Sequence, residues 1–274
     1  MARTSTPKPR PHPQLPSPGR DPHPLTPSPR RGEGERKVSS SSPLSALRRG
    51  GQGVRIARAQ KVSFTRKLLA WWARAARDLP WRRTRDPYRV LVSEFMLQQT
   101  QVSRVAEYYP RFLERFPDLE SLARARPRTV REAWDGLGYY ARASNLHALA
   151  RVVSRDHDGT LPDVPEELVK LPGVGPYTAG AVATFAYEKP VPAVDTNVAR
   201  VIRRAFGNAE RGMRNAELWR LASMLVPKNG KRAWKFNQAI MELGALICVA
   251  RKPKCAQCPV RPDCKTGREC LGRP

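Results

Sequence analysis

Two acidic residues stand where a carboxylate could take part in chemistry. Glu94 lies within the apolar run 90–96, where an acid is either turned to solvent or buried with a raised pKa. Asp195 follows apolar residues and precedes a helical pattern, which is also typical of a simple helix N-cap. A buried acid can donate a proton near neutral pH, and a fixed carboxylate can stabilise a cationic sugar transition state. Together they would suit cleavage of an N-glycosidic bond.

Four cysteines near the C-terminus have the spacing of a metal-binding site. Cys248, Cys255, Cys258 and Cys264 form the pattern C-x6-C-x2-C-x5-C, and Cys270 is left over. Because all five cysteines lie in one short segment, a metal site is favoured over a disulfide framework. The uneven spacing, with one short knuckle, favours a [4Fe–4S] cluster, with structural zinc as the alternative. The same segment carries basic side chains that we expect to face phosphates: Arg251, Lys252, Lys254 and Arg261.

A glycine-rich string at 171–180 predicts a tight turn between two helices. Gly173 and Gly175 allow bare backbone there, and the helix that follows offers backbone N–H groups to a phosphate. Such a contact positions a protein on DNA without recognising its sequence. An ordinary helix–helix turn is the alternative. The longer string, with Pro172 before the first glycine, is more specific than two glycines alone.

The elements that must position these residues are predicted to be helical from Lys61 onwards. Phe64, Leu68 and Trp72 recur at a helical period, and Asp86-Pro87 is a helix start signal. Neither a convincing strand pattern nor an internal repeat is found, so we expect an all-α protein. Further helices are predicted near 103–115, 128–135, 140–156, 176–187, 195–205, 216–226 and 232–247. Proline and glycine mark the predicted joins, for example Pro110 and Gly207.

The charge of the chain is strongly positive, with 50 Lys and Arg against 24 Asp and Glu and a net charge of +26. Such a field attracts polyanions, first nucleic acid and second an anionic membrane surface. No apolar run is long enough for a membrane helix, so we expect a soluble, cytoplasmic protein. Residues 1–60 hold 11 of the 27 prolines and no aromatic residue, which predicts a disordered basic tail. A mitochondrial transit peptide is the weaker alternative for this tail.

Several strings together resemble the adenine DNA glycosylases of the helix-hairpin-helix, endonuclease III superfamily. They are the hairpin, Ser93-Glu94-Phe95-Met96-Leu97-Gln98-Gln99-Thr100-Gln101-Val102, Gly136-Leu137-Gly138-Tyr139-Tyr140-Ala141-Arg142-Ala143, Val194-Asp195-Thr196-Asn197-Val198-Ala199-Arg200 and the cysteine spacing. The resemblance covers roughly residues 65–270. It implies a two-lobed helical fold, with residues 85–193 as a central barrel and 61–84 plus 194–274 as a lobe holding the iron–sulfur cluster.

The resemblance also implies a role for individual residues. Glu94 would protonate N7 of adenine, Asp195 would be the catalytic carboxylate, and Asn197 would help to hold it. Gln99 would insert into the duplex at the vacated base. Gln98, Tyr139 and Arg142 would lie at the DNA, with Tyr139 as a wedge, although a core aromatic is the alternative for that residue. Trp81 and Arg82 would contribute to the pocket or to adenine contacts.

Tyr177 decides which chemistry follows from the resemblance. In bifunctional enzymes of the endonuclease III type, a lysine after the hairpin attacks the sugar as a Schiff-base nucleophile. This chain has Tyr177 at that position, and a phenol cannot form a Schiff base. We therefore expect a monofunctional enzyme that leaves an abasic site, with Tyr177 touching the catalytic carboxylate. Lys170 and Lys189 are close in sequence and could supply residual lyase activity.

The resemblance predicts a monomer that acts on double-stranded DNA and removes adenine mispaired with guanine or 8-oxoguanine. The chain ends at Pro274, so we expect a short form without the C-terminal domain that inspects oxidised guanine. Thr196 stands where many adenine glycosylases have glycine. The first alternative is a thymine glycosylase specific for T:G mismatches. An abasic-site lyase and a non-catalytic DNA-binding protein are further alternatives.

Overall fold

The computed structural model describes residues 56–207 and 212–269. Within these ranges every regular element is a helix, so the all-α prediction is confirmed. The α-helices are α1 (Arg58–Ala75), α2 (Pro87–Leu97), α3 (Val102–Arg115), α4 (Leu119–Arg124), α5 (Pro127–Ala133), α6 (Ala141–Asp156), α7 (Pro165–Leu168), α8 (Pro176–Phe185), α9 (Thr196–Phe206), α10 (Asn215–Leu225), α11 (Gly230–Leu246) and α12 (Lys265–Glu269). Among them, none is long and apolar enough to cross a lipid bilayer.

The start of α2 follows directly from its sequence signal. Asp86 caps the helix, because its Oδ1 accepts a hydrogen bond of 2.7 Å from the backbone N–H of Arg89. Pro87 occupies the first helical position, where its missing N–H costs nothing. This fixed start sets which residues of α2 point inward, and Glu94 is among them.

The helix predictions differ from the structure in three respects. Helices α4, α7 and α12 were not expected, because their 6, 4 and 5 residues are too short to show a helical period. Pro110 lies inside α3 and not at a join, since it is exposed and solvent can pair with the carbonyl that loses its helical partner. Helix α1 begins at Arg58, inside the predicted tail. The rest of that tail, residues 1–55, and Cys270 lie outside the described residues.

Buried apolar side chains form two clusters. The first draws mainly on α2 to α8 and includes Phe95 and Trp134, which are 1% and 0% exposed. The second draws on α1 and α9 to α11 and includes Phe64, which is fully buried. Trp72 and Met241 are half-buried and pack against both clusters, so the two cores adjoin. The predicted lobe boundaries stay a prediction.

A close backbone contact packs the segment that precedes α9 against α8. At Gly180 in α8, a Cβ atom would lie 2.3 Å from the carbonyl oxygen of Pro192, so only glycine fits there. The chain from Pro192 then runs through Ala193 and Val194, both buried, to Asp195. The charge of Asp195 then lies near enough to the start of α8 to raise the pKa of Tyr177.

Candidate active site

Glu94 is a buried acid with a direct hydrogen-bond partner. It lies on α2 and is 4% exposed. Its Oε2 accepts a hydrogen bond of 2.7 Å from the Tyr177 hydroxyl. Burial raises the pKa of Glu94 to about 7 against the hydrogen bond from Tyr177, and the nearby charge of Asp195 raises it further, while Arg82 opposes the rise. Near neutral pH this carboxyl can therefore give up a proton.

Tyr177 is the second residue of α8 and links that helix to α2. Burial and the carboxylates of Glu94 and Asp195 raise its pKa well above the ordinary value for tyrosine. The phenol therefore stays protonated and acts as a hydrogen-bond donor to Glu94. It holds the acid in one orientation and brings no amine nucleophile.

Asp195 is both a helix cap and a neighbour of the acid. Its Oδ1 accepts a hydrogen bond of 2.6 Å from the backbone N–H of Val198, and its Oδ2 accepts one of 2.9 Å from the side-chain amide of Asn197. Burial raises the pKa of Asp195, whereas these hydrogen bonds lower it. The cap therefore fixes this carboxylate near Glu94, where it is compatible with a role in chemistry.

The support of Asp195 extends towards the cysteines. The Oδ1 of Asn197 accepts a hydrogen bond of 2.7 Å from Nη2 of Arg200. The Nε of the same arginine donates to the carbonyl of Cys248 at 2.7 Å. Arg204, one turn later on α9, donates to the Cys248 Sγ at 3.5 Å and to the carbonyl of Val249 at 2.8 Å. One helix therefore carries the catalytic candidate at its start and holds the cysteine segment along its side.

Arg82 forms an ion pair with the buried carboxylate of Glu242. Its guanidinium donates to Glu242 Oε2 at 2.8 Å and to Gln238 Oε1 at 2.7 Å. Glu242 is fully buried and also accepts two hydrogen bonds from the Arg77 side chain. Although burial opposes ionisation, these arginines lower the pKa of Glu242 to about 2. Arg82 therefore faces α11, and its expected contribution to the pocket or to adenine contacts stays a prediction.

Trp81 and Arg142 are buried, and their predicted contributions at the pocket and near DNA stay predictions. Trp81 is 8% exposed and packs edge-on against Tyr109 with ring centroids 5.7 Å apart. Arg142 is 7% exposed, and its guanidinium is used on backbone carbonyls within the protein. Both side chains are long enough to reach DNA from a surface, but tertiary packing covers them.

The hairpin joins α7 to α8 and depends on Gly173. This residue has φ +74, and a Cβ atom there would lie 2.7 Å from the Cβ of Asn145 and 3.0 Å from the ring of Phe95. Gly175 is the N-cap of α8, with Pro176 as its first helical residue. The turn is therefore packed onto α6 and α2, with the start of α8 next to the acid.

Two loops project residues that the sequence assigns to DNA. The glutamine loop (residues 98–101) joins α2 to α3, and the tyrosine loop (residues 135–140) joins α5 to α6. Gln99 is exposed with φ +56, and Tyr139 is 64% exposed with φ +46. Gln98 is half-buried, and its amide lies 3.5 Å from the hydroxyl of Thr178 on α8. An exposed aromatic is not a core residue, so the alternative for Tyr139 is wrong.

The four cysteines line one cavity with Arg204, Ile247, Pro253, Arg261, Thr266 and Gly267. Four thiols at uneven spacing around one cavity suit a cluster of several iron atoms. The Gly267 N–H donates to the Cys264 Sγ at 3.3 Å. Burial raises the pKa of the Cys258 thiol to about 11, and a bound metal would be needed to keep it as a thiolate. These residues fit a [4Fe–4S] cluster, which would hold the basic segment in shape.

Each candidate lysine forms an ion pair with a neighbouring carboxylate. Lys170 forms an ion pair of 2.7 Å with Glu167 on the surface, and Lys189 pairs with Asp163. Each ammonium is turned to a carboxylate of its own neighbourhood.

Several supporting residues escaped the sequence analysis. Arg77, Gln238 and Glu242 belong to the ion-pair network under the site, yet the arginine and the glutamate are 165 positions apart. No local pattern signals such a pair. Arg204 had a weak signal, because it follows Arg200 by one turn on an amphipathic helix.

A helix-hairpin-helix scaffold, a buried glutamate hydrogen-bonded to a phenol near a helix-capping aspartate, and a four-cysteine segment define a class of DNA-repair glycosylases. Residues 92–224 match the HhH-GPD superfamily of base excision DNA repair proteins, and residues 248–264 match the iron–sulfur binding domain of endonuclease III. The structure is similar to that of a thermostable thymine-DNA glycosylase, with 35% identity, a TM-score of 0.73, and coverage of 77% of this chain and 98% of that one.

The curated relatives are also DNA glycosylases. The chain is 47% identical to an adenine DNA glycosylase of Mycobacterium tuberculosis over 70% of its length, and 43% identical to that of Homo sapiens over 76%. The matches span 64% and 40% of those two proteins. A trapped endonuclease III–DNA covalent intermediate, at 23% identity and a TM-score of 0.67, shares the fold. The chain belongs to the HhH-GPD superfamily of base excision DNA repair proteins and carries its iron–sulfur domain.

Proposed function

We propose that this protein is a monofunctional adenine DNA glycosylase that acts on adenine mispaired with guanine or 8-oxoguanine. The observation that carries the proposal is the placement of Glu94, Tyr177 and Asp195, with a buried acid of raised pKa beside a capped carboxylate. The curated relatives named adenine DNA glycosylase support the choice of base.

The proposed reaction begins with adenine turned out of the stack, because a base inside a duplex is out of reach. Glu94 gives its proton to N7 of the base as the N-glycosidic bond breaks, and the bonding electrons leave with adenine. The sugar becomes an oxocarbenium ion, which the negative Asp195 stabilises. Water then adds to the sugar carbon and releases a proton, which restores the acid.

The absence of an amine at position 177 supports a monofunctional enzyme. Tyr177 donates a hydrogen bond to Glu94 and offers no nitrogen for a Schiff base. Lys170 and Lys189 are held by Glu167 and Asp163. The product in this proposal is an abasic site in an intact strand.

Duplex DNA would lie against the hairpin, the glutamine loop and the tyrosine loop. Gln99 and Tyr139 would enter the stack as the adenine leaves it, with Gln98 behind them. The enzyme would act as a monomer of two lobes, residues 85–193 and 61–84 plus 194–274. The described residues support this placement through the exposure of Gln99 and Tyr139.

Thymine excision from T:G is the second candidate, because the similar solved structure is a thymine-DNA glycosylase. Thymine has no N7 for Glu94 to protonate, so a buried general acid favours the purine. The two candidates therefore predict different bases in the same assay.

The experiment is single-turnover excision on duplexes that hold A:8-oxoguanine, A:G, T:G and A:T, followed by alkali. The proposal predicts strand cleavage at the adenine of the first two duplexes, and only after alkali. Cleavage at the thymine of T:G would replace it with the second candidate. Cleavage without alkali would overturn the monofunctional assignment.

A further inference from the structure

Arg142 connects the two loops that carry Gln99 and Tyr139. The guanidinium lies under the C-terminus of α2, where Nη1 donates to the carbonyls of Phe95 at 3.0 Å and Met96 at 2.8 Å, and to that of Gln98. The last carbonyls of a helix have no partner within the helix, and a cation there is favourable. Arg142 thus completes the end of α2 at the first residue of the glutamine loop.

The second nitrogen of the same guanidinium reaches the other loop. Its Nη2 donates to the carbonyls of Leu137 at 3.0 Å and Gly138 at 3.1 Å, and to the Thr100 hydroxyl at 3.0 Å. Trp134, which is fully buried, lies 5.5 Å from the Arg142 guanidinium carbon, and its Nε1 also donates to Gly138 at 3.2 Å. One side chain therefore joins residues that flank both exposed tips.

Both tips have backbone conformations that side chains rarely adopt. Gln99 has φ +56 and Tyr139 has φ +46, and neither is a glycine. Such conformations cost of order 1–3 kcal/mol each and persist where the surroundings impose them. The carbonyls immediately before both residues, those of Gln98 and Gly138, accept from Arg142. This one guanidinium is therefore well placed to impose both conformations.

We propose that Arg142 is a positioning residue that holds the glutamine and tyrosine loops in register with each other, so that Gln99 and Tyr139 enter DNA as one unit. The inference rests on the proposed function in one respect, that these two tips enter the duplex. Arg142 itself touches no DNA in this account, because it is buried behind both loops. Its planar fork of donors matches acceptors on two sides, which a lysine cannot do from one point.

The test uses Arg142→Lys, with Arg128→Ala as the control that removes one positive charge from an exposed site. Two binding constants are measured for each protein, one for a duplex with a stable abasic-site analogue and one for an undamaged duplex. We expect Arg142→Lys to bind the abasic duplex about tenfold more weakly, with undamaged binding within about twofold. The control should change both affinities equally.

A second variant tests the inference independently, in case Arg142→Lys does not fold. Trp134→Phe keeps an aromatic ring but removes the donor to Gly138, and we expect a smaller loss of the same selectivity. The visible absorbance of the cluster and the thermal transition report whether each variant is folded. The pH profile of excision should stay that of the wild type, since Glu94 is untouched.

The outcomes separate this inference from the proposed function. Any glycosylase of this class binds an abasic product, so the affinities can be compared even if adenine is not the excised base. A folded Arg142→Lys with wild-type selectivity for the abasic duplex would overturn the inference. Equal losses on both duplexes would overturn it too, since they indicate a general loss of the DNA-binding surface. If Arg142→Lys does not fold, unchanged selectivity in Trp134→Phe would overturn it.

Discussion

Glu94 holds its proton near neutral pH because its carboxyl is buried, and Tyr177 limits that effect by donating to the charged form. The same environment that makes the acid useful makes its anion unfavourable. Burial also raises the pKa of Asp195, but backbone and amide donors at the start of α9 stabilise its negative charge and oppose that rise. The two neighbouring carboxyls therefore differ in the donors that support their charged forms, which is the basis of the two roles proposed for them.

The pH dependence of excision should follow from this difference. Since Glu94 must be protonated and its pKa is about 7, the single-turnover rate should fall about tenfold per pH unit above that value. Tyr177→Phe removes a hydrogen bond that lowers the pKa of Glu94. The alkaline limb of the pH–rate profile of this variant should therefore move to higher pH. A limb that moved to lower pH in this variant would contradict the assignment of the acid.

Stability should depend on pH through the same group. The pKa of Glu94 is about 7 in the folded state and 4.5 as the reference value, so the folded state binds more protons between these two values. Its stabilising contribution is complete below about pH 4.5 and is lost as the pH rises through about 7. Measured by urea unfolding, the free energy of unfolding should fall less between about pH 4.5 and 7 for Glu94→Gln than for the wild type. An identical decline in both proteins would refute the raised pKa.

Predictability at the residue scale depended on whether a role is local. Glu94 and Asp195 could be singled out because each sits in a short, informative string. The burial of Trp81 and Arg142 could not be predicted, because it depends on helices far away in the chain. Gln98, Gln99 and Tyr139 remain predictions of DNA contact.

At the scale of elements, α8 and α9 carry most of the site. Helix α8 begins at the hairpin and presents Tyr177, while α9 begins at Asp195 and holds Cys248 through Arg200 and Arg204. Cap and turn signals made these two helices predictable. The partners of α9 could not be predicted from the sequence, because Arg200 contacts Gly244 and Cys248, which are more than 40 residues away in the chain.

Gly173→Ala tests the hairpin as an element. The added methyl group would meet Asn145 at 2.7 Å in a backbone conformation that disfavours alanine, so the turn must shift off α6. We expect affinity for undamaged DNA to fall about tenfold by fluorescence anisotropy, because backbone contacts to phosphate do not depend on sequence. Gly159→Ala is the matched control, since Gly159 also has positive φ but nothing lies within 4 Å of its Cβ position. Equal effects of the two variants would argue against a hairpin role.

For the whole molecule, a net charge of +26 makes association with DNA sensitive to salt. The logarithm of the association constant should fall linearly with the logarithm of salt concentration, at about 0.9 per phosphate neutralised. Lys254→Ala, in the exposed cysteine segment, should lower the slope by about one if that segment faces phosphate. An unchanged slope would place the segment off the DNA.

The most direct test of the central claim is the release of free adenine from an A:8-oxoguanine duplex, measured under single-turnover conditions for wild type, Glu94→Gln and Asp195→Asn. The account predicts adenine release by the wild type, loss of release in both variants, and DNA affinities close to that of the wild type. Release at the wild-type rate by either variant would contradict the assignment of Glu94 as the acid or Asp195 as the stabilising carboxylate.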